Sequence, residues 1–113
     1  MPSAPTAENC LIIAGQVAGT CETRVSPAGV AISRFLLEHH SSQVEAGLQR
    51  EARCRIPVVA CGEPLARTAG RLPAGARVRV RGFVGRANYR EGEYRLVLHA
   101  THIDILDTES FEG

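Results

Sequence analysis

The chain has 113 residues, 44% hydrophobic and 22% charged, with thirteen basic residues, all arginine, and a net charge of +1. That length fits one compact domain. The composition excludes a collagen-like or wholly disordered chain, and no apolar run is long enough for a membrane-spanning helix. Residues 1–8 are small, polar and proline-containing, without the basic start and apolar stretch of a signal peptide. They are expected to form a disordered N-terminal segment ahead of a domain over 9–106, in a soluble, cytoplasmic protein. Asn9–Gly19 (NCLIIAGQVAG) is apolar and β-branched and predicts a first strand, with Gly15 and Gly19 placed for bending. Ser26–Gly29 (SPAG) is a turn signal. A second strand follows from Val30 to about His40, with Ile32 and Arg34 on one face and Phe35 and Leu37 on the other.

Ser41–Gly47 (SSQVEAG) is polar and is read as a hairpin loop. The third strand, Glu51–Cys61, carries Pro57, which argues for an edge or a bulge, and places Arg53 and Arg55 on a shared face. Gly62–Leu72 has Pro64 near its start and Gly70 near its end, a short helix or turn. Ala76–Val84 (ARVRVRGFV) alternates cleanly, with Val78 and Val80 facing one way and Arg77, Arg79 and Arg81 the other. Gly85–Glu93 is a loop. Tyr94–Ile105 is the last strand, with Leu96, Leu98, Ala100 and then His102 on one face. Residues 107–113 form an acidic segment expected to be flexible. Five strands of uneven length with a short helix between the third and fourth suggest an OB-fold barrel, while an SH3-like barrel fits the same pattern.

Charge is segregated along this framework. Residues 50–95 hold eleven arginines against four acids, and the rest of the chain two arginines against eight acids. A basic middle between acidic ends can draw a polyanion to one region; scatter of the same charges over the folded surface is the plain alternative. Guanidinium groups grip phosphate bidentately and stack on bases, which suits arginine to that task. The four cysteines (Cys10, Cys21, Cys54, Cys61) form no C-x-x-C pair, and the histidines lack finger-like spacing. No metal or other cofactor is expected. There is no phosphate-cradling loop and no nucleophile signature, so the chain reads as a binding protein without enzymatic activity.

Six strings occur together in order: Val25–Gly29 (VSPAG), Phe35–His39 (FLLEH), Gln43–Gly47 (QVEAG), Ile56–Val58 (IPV), Gly82–Phe83, and Leu96–Ala100 (LVLHA). Their order and spacing resemble the primosomal replication protein N (PriB) family, relatives of bacterial single-stranded DNA-binding proteins, over about residues 9–106. The resemblance implies a homodimeric OB-fold that binds single-stranded DNA in replication restart, stimulates the PriA helicase and passes the assembly on to DnaT. It implies no small-molecule substrate and no membrane.

Carried over by position, the resemblance puts family contacts on Arg24, His40, Asn88, Arg90 and Arg95. His40 is less reliably charged than an arginine, and Asn88 departs from a basic residue. Where some relatives have a stacking tryptophan, this chain has Arg53. Arg34, Arg55, Arg86, Tyr89 and Tyr94 complete the candidate nucleic-acid-binding set, the tyrosines as stacking groups. Phe35 and Phe83 are assigned to the core, His99 to a structural or dimer-interface role. Arg67 and Arg71 are weaker candidates. The competing functional reading is an OB barrel that serves mainly as a protein–protein scaffold with weak nucleic-acid binding. The short acidic end, with Phe111, bears a faint likeness to the tips of single-stranded DNA-binding proteins.

Overall fold

A computed structural model describes residues 7–87 and 95–106. The elements are β1 (Leu11–Val25), β2 (Ala31–Glu45), β3 (Leu48–Cys61), α1 (Leu65–Gly70), β4 (Arg77–Arg86) and β5 (Leu96–Ile105). The strands close into a barrel in the order β1-β2-β3-β5-β4, the five-stranded OB arrangement with its helix between the third and fourth strands. All pairings are antiparallel except β3 with β5, which meet in parallel through Val58–Leu98 and Val59–His99. β3 has no β5 partner before Val58, so Pro57 occupies an edge on that side and its missing N–H costs no ladder bond.

Alternation builds the interior. Val17, Leu37, Val58, Val78, Val80 and Leu98 are fully buried, one or two from each strand. Each contributes roughly 1.5–3 kcal/mol of transfer free energy. α1 closes one end of the barrel, burying Ala66 and Ala69. The Ser33 hydroxyl, wholly buried, donates to the Ala66 carbonyl at 2.6 Å and lies 2.7 Å from the Thr23 hydroxyl. That exchange satisfies a polar group which burial alone would penalise.

Several elements differ from the sequence-based expectations. β1 runs to Val25, beyond the expected end at Gly19. The chain bulges between Ala18 and Glu22, with Gly19 at a φ of 79°, and then resumes pairing with β2. The expected loop 41–47 is mostly strand. β2 and β3 stay in register to Glu45–Leu48 and turn through Ala46 and Gly47 alone, both at positive φ (56° and 78°), the signature of a two-residue hairpin turn. β4 continues to Arg86, into the expected loop, and β5 starts at Leu96. A bulge opposite Arg81 and Gly82 leaves Thr101 out of the ladder, with its hydroxyl donating to the Arg81 carbonyl at 3.0 Å. Parity therefore flips within β5: Ile103 packs against the core and His102 is exposed. Leu96, expected on the inner face, is exposed, and Val97 is buried. Phe83 is not a core residue. It lies on the outer face of β4 with the arginines, 45% exposed, its ring stacked on His99 at 4.9 Å between centroids.

Candidate nucleic-acid interface

Barrel register sets four outward side chains abreast across four strands. Arg77 on β4 pairs with Gln16 on β1, Gln16 with Glu38 on β2, and Glu38 with Arg55 on β3. Three inter-strand spacings separate the two arginines, about 14 Å. The next outward pair along the hairpin is His40 with Arg53. These residues line an open groove of about 710 Å³, with Gly15, His39 and Cys54 on its floor. A Cβ on Gly15 would overlap the Glu38 carbonyl, so only glycine lets β1 approach β2 this closely.

Side-chain hydrogen bonds fix the floor where β1 leaves β2. His39 Nδ1 donates to the Ala14 carbonyl at 2.6 Å, and the Ser41 hydroxyl, 2.7 Å from Nε2, also receives the Gln43 amide at 2.8 Å. The carbonyl can only accept, which places the proton of the neutral ring on Nδ1. The arginines are exposed and only loosely held. Arg55 lies 3.5 Å from Glu38, Arg53 is 3.8 Å from Glu51, and His40 is 3.1 Å from the same Glu51 carboxylate. Exposed pairs of this kind are worth at most about 1 kcal/mol. An incoming phosphate can therefore displace the carboxylates at little cost.

The sequence-predicted set divides. Arg53, Arg55 and His40 converge in the groove. Arg24 and Arg34 line a separate shallow pocket with Glu22, Thr23 and Ile32. Arg34 shares the outer face of β2 with Glu38 and His40 but stands about 20 Å along the strand from His40. Arg86 and Arg95 sit at the β4–β5 end, where the Ala87 N–H donates to the Arg95 carbonyl. Arg95 precedes Leu98 by as many residues as Arg55 precedes Val58, the parallel partner of Leu98. Both arginines thus enter the β3–β5 seam from the same side. Asn88, Tyr89, Arg90 and Tyr94 lie outside the described residues. Sequence reasoning left Arg77 out of the site. Its outward parity was readable, but its place beside Gln16 depends on a β1–β4 pairing between distant segments.

Among the described residues there is no cluster of three or more histidine, cysteine or acidic side chains able to hold a metal ion, and no helix is long and apolar enough to cross a membrane. The described site offers dispersed positive charge and hydrogen-bond donors on an open surface. This chemistry suits an extended polyanion.

A family model described as "Another single-strand binding protein family" matches residues 9–102. The chain is 39% identical over 100 residues to the replication restart protein PriB of Proteus mirabilis, covering 88% of this chain and 95% of the relative. It is 42% identical over 100 residues to that of Photorhabdus laumondii, with the same coverage. The chain belongs to the PriB family of single-strand binding proteins. Its barrel superposes on the PriB structure from Ralstonia solanacearum with a TM-score of 0.76 at 26% identity, covering 88% of this chain and 98% of that one. The single-stranded DNA binding protein of Thermus aquaticus shares the PriB-family fold with a TM-score of 0.73 at 23% identity, over 90% of this chain and 52% of that one.

Proposed function

We propose that this protein binds single-stranded DNA as a non-enzymatic accessory factor of replication restart. The observation that carries the reading is the convergence of Arg53, Arg55 and Arg77 with His40 on one open groove across four strands. The strand runs over that groove, with phosphates on the arginines, and extends along β2 toward Arg34 and Arg24 and across the seam to Arg86 and Arg95. Asn88, Tyr89, Arg90 and Tyr94 complete the contact set. The curated relatives named replication restart protein PriB support the same setting. In it the chain acts in the cytoplasm as a homodimer that stimulates the PriA helicase and hands the assembly to DnaT.

Among the described residues no phenylalanine, tyrosine or tryptophan lines the groove, so stacking there falls to the guanidinium planes and the exposed His40 ring, and phosphate contacts dominate. Fluorescence anisotropy with labelled single- and double-stranded oligonucleotides at several salt concentrations tests this. Three phosphate contacts give a log–log salt slope of about −2 on single strands, with weaker binding to duplex. Equal affinity for duplex, or a slope near zero, would overturn the reading. The carboxylates beside Arg53 and Arg55 favour a second reading, a protein-binding barrel with incidental DNA affinity. A dimer that binds the helicase but no oligonucleotide at low salt would establish it.

A further inference from the structure

Ala76 and Ile105 line a second groove, whereas their chain neighbours Arg77 and Leu106 line the arginine groove. The two recesses thus lie on opposite sides of the paired ends of β4 and β5, where the Leu106 N–H donates to the Arg77 carbonyl at 2.7 Å. The second groove runs beside α1 and encloses about 500 Å³. Leu72, 6% exposed, and Ala76 form its floor, and Pro64, Pro73 and Ile105 form its walls. Ile105 is 53% exposed there, a β-branched side chain left in water at the rim of an apolar recess.

Two cations flank this recess. Arg67 in α1 and Arg71 at its C-cap line the groove and are exposed. Four residues apart, they share one helical face about 6 Å along the axis. Glu63 holds Arg67 at 3.2 Å in an exposed pair that another carboxylate can replace. Arg71 has no ion pair among the described residues. In an extended peptide, alternate side chains project to one side about 6.6 Å apart, and the residue between them projects to the other. An acid–apolar–acid triplet therefore matches the arginine spacing and leaves its apolar side chain for the recess. Other occupants fit less well. Among the described residues, Thr68 is the only uncharged polar side chain lining the groove, so the hydrogen-bonding edge of a nucleobase would be desolvated there largely without partners. A second copy docked two-fold through this face would set arginine against arginine.

We propose that the α1–β5 groove is a docking site for an extended acidic segment of a partner protein. The segment's apolar anchor sits over Leu72 against Ile105, and its two flanking carboxylates sit on Arg67 and Arg71. This site does not depend on the DNA reading.

The probe is a synthetic peptide, Gly-Ser-Asp-Phe-Asp-Ser-Gly with blocked ends, titrated at low salt into the isotopically labelled full-length protein and followed by amide chemical shifts. Saturable shifts are expected at Arg67, Thr68, Arg71, Leu72 and Ile105. Replacing the peptide's phenylalanine by alanine, or both its aspartates by asparagine, should weaken binding at least fivefold. In the protein, Arg71→Glu should weaken it at least tenfold, while the rest of the spectrum stays unchanged and reports an intact barrel. Ile105→Thr, which removes apolar surface without adding charge, should weaken it at least threefold. Absence of saturable shifts at these residues would overturn the proposal, as would affinity that survives Arg71→Glu or Ile105→Thr in the folded protein. Shifts confined to His40, Arg53 and Arg55 would mean that the peptide only mimics a polyanion on the other face, and would overturn it too. So would tighter binding of a thymidine oligonucleotide to the same α1–β5 residues, which would assign the groove to nucleic acid. Shifts there that follow protein concentration without peptide would assign it to a second copy, with the same consequence.

Discussion

Glu38 and Arg55 face each other at 3.5 Å with half or more of each side chain in water, so their attraction is weak and replaceable. A phosphate arriving at Arg55 competes with this carboxylate. Glu38→Gln should strengthen single-strand binding several-fold at low salt, and unchanged affinity would mean that the phosphate path avoids the row from Arg55 to Arg77. In the opposite direction, Arg53→Glu with Arg55→Glu should weaken binding at least tenfold and make the salt slope shallower by about 1.4, two phosphate contacts at about 0.7 each. Anisotropy titrations at three salt concentrations measure both effects. The cysteines separate by environment. Cys21 is half-buried, its thiol donates to the Leu72 carbonyl at 3.4 Å, and burial raises its pKa above the ordinary value. Cys10, Cys54 and Cys61 are exposed. Since the thiolate is the reactive form, Ellman titration at mildly alkaline pH should show three fast thiols and one slow one; four equal rates would contradict the packing at Cys21.

The β2–β3 hairpin is the element that turns most sharply on one residue. Its tip passes through Ala46 at a φ of 56°, a left-handed conformation that costs a residue with a Cβ roughly 1 kcal/mol. Ala46→Asn produces the Asn-Gly pair that such turns favour. It should stabilise the arm by about that amount, read as slower amide exchange from Val44 to Gln49, and unaltered exchange would argue against the two-residue turn. This arm was hidden in the sequence for a physical reason. Residues 42–51 are exposed on both faces, so no burial imposes alternation and the strand reads as polar loop. Its ladder is held instead by the register and by pairs such as Arg50 with Glu45 at 3.3 Å. β4 was legible because one of its faces is buried, and alternation there placed Arg77, Arg79 and Arg81 correctly. The same alternation puts Phe83 outside with the arginines; assigning it to the core followed hydrophobicity where parity was the better guide. The β5 bulge defeated parity itself, since one unpaired residue moves every later side chain to the other face.

At the scale of the molecule, the segregation of arginines was legible but their convergence was not. Strand parity joins Arg53 to Arg55, whereas only closure of the barrel between β1 and β4 brings Arg77 abreast of Arg55. The same closure places large apolar side chains in water on the outer face. Ile12 on β1 is 54% exposed, and Phe83 lies two residues beyond its cross-strand partner Arg81 on β4, with its ring against His99. In the homodimer proposed for this chain, these two neighbouring groups are ones that gain from being covered, since burying an apolar side chain contributes roughly 1.5–3 kcal/mol. Sedimentation velocity should give twice the 12.1 kDa of the chain. Phe83→Asp with Ile12→Asp should reduce this to a single chain length, because two carboxylates would have to be desolvated without partners in the interface. Both positions are on the outer surface, so the barrel should survive, and a native circular dichroism spectrum separates loss of the dimer from loss of the fold. A folded double variant that stays dimeric would place the interface elsewhere on the barrel, and a parent protein that sediments as a monomer would refute the homodimer itself.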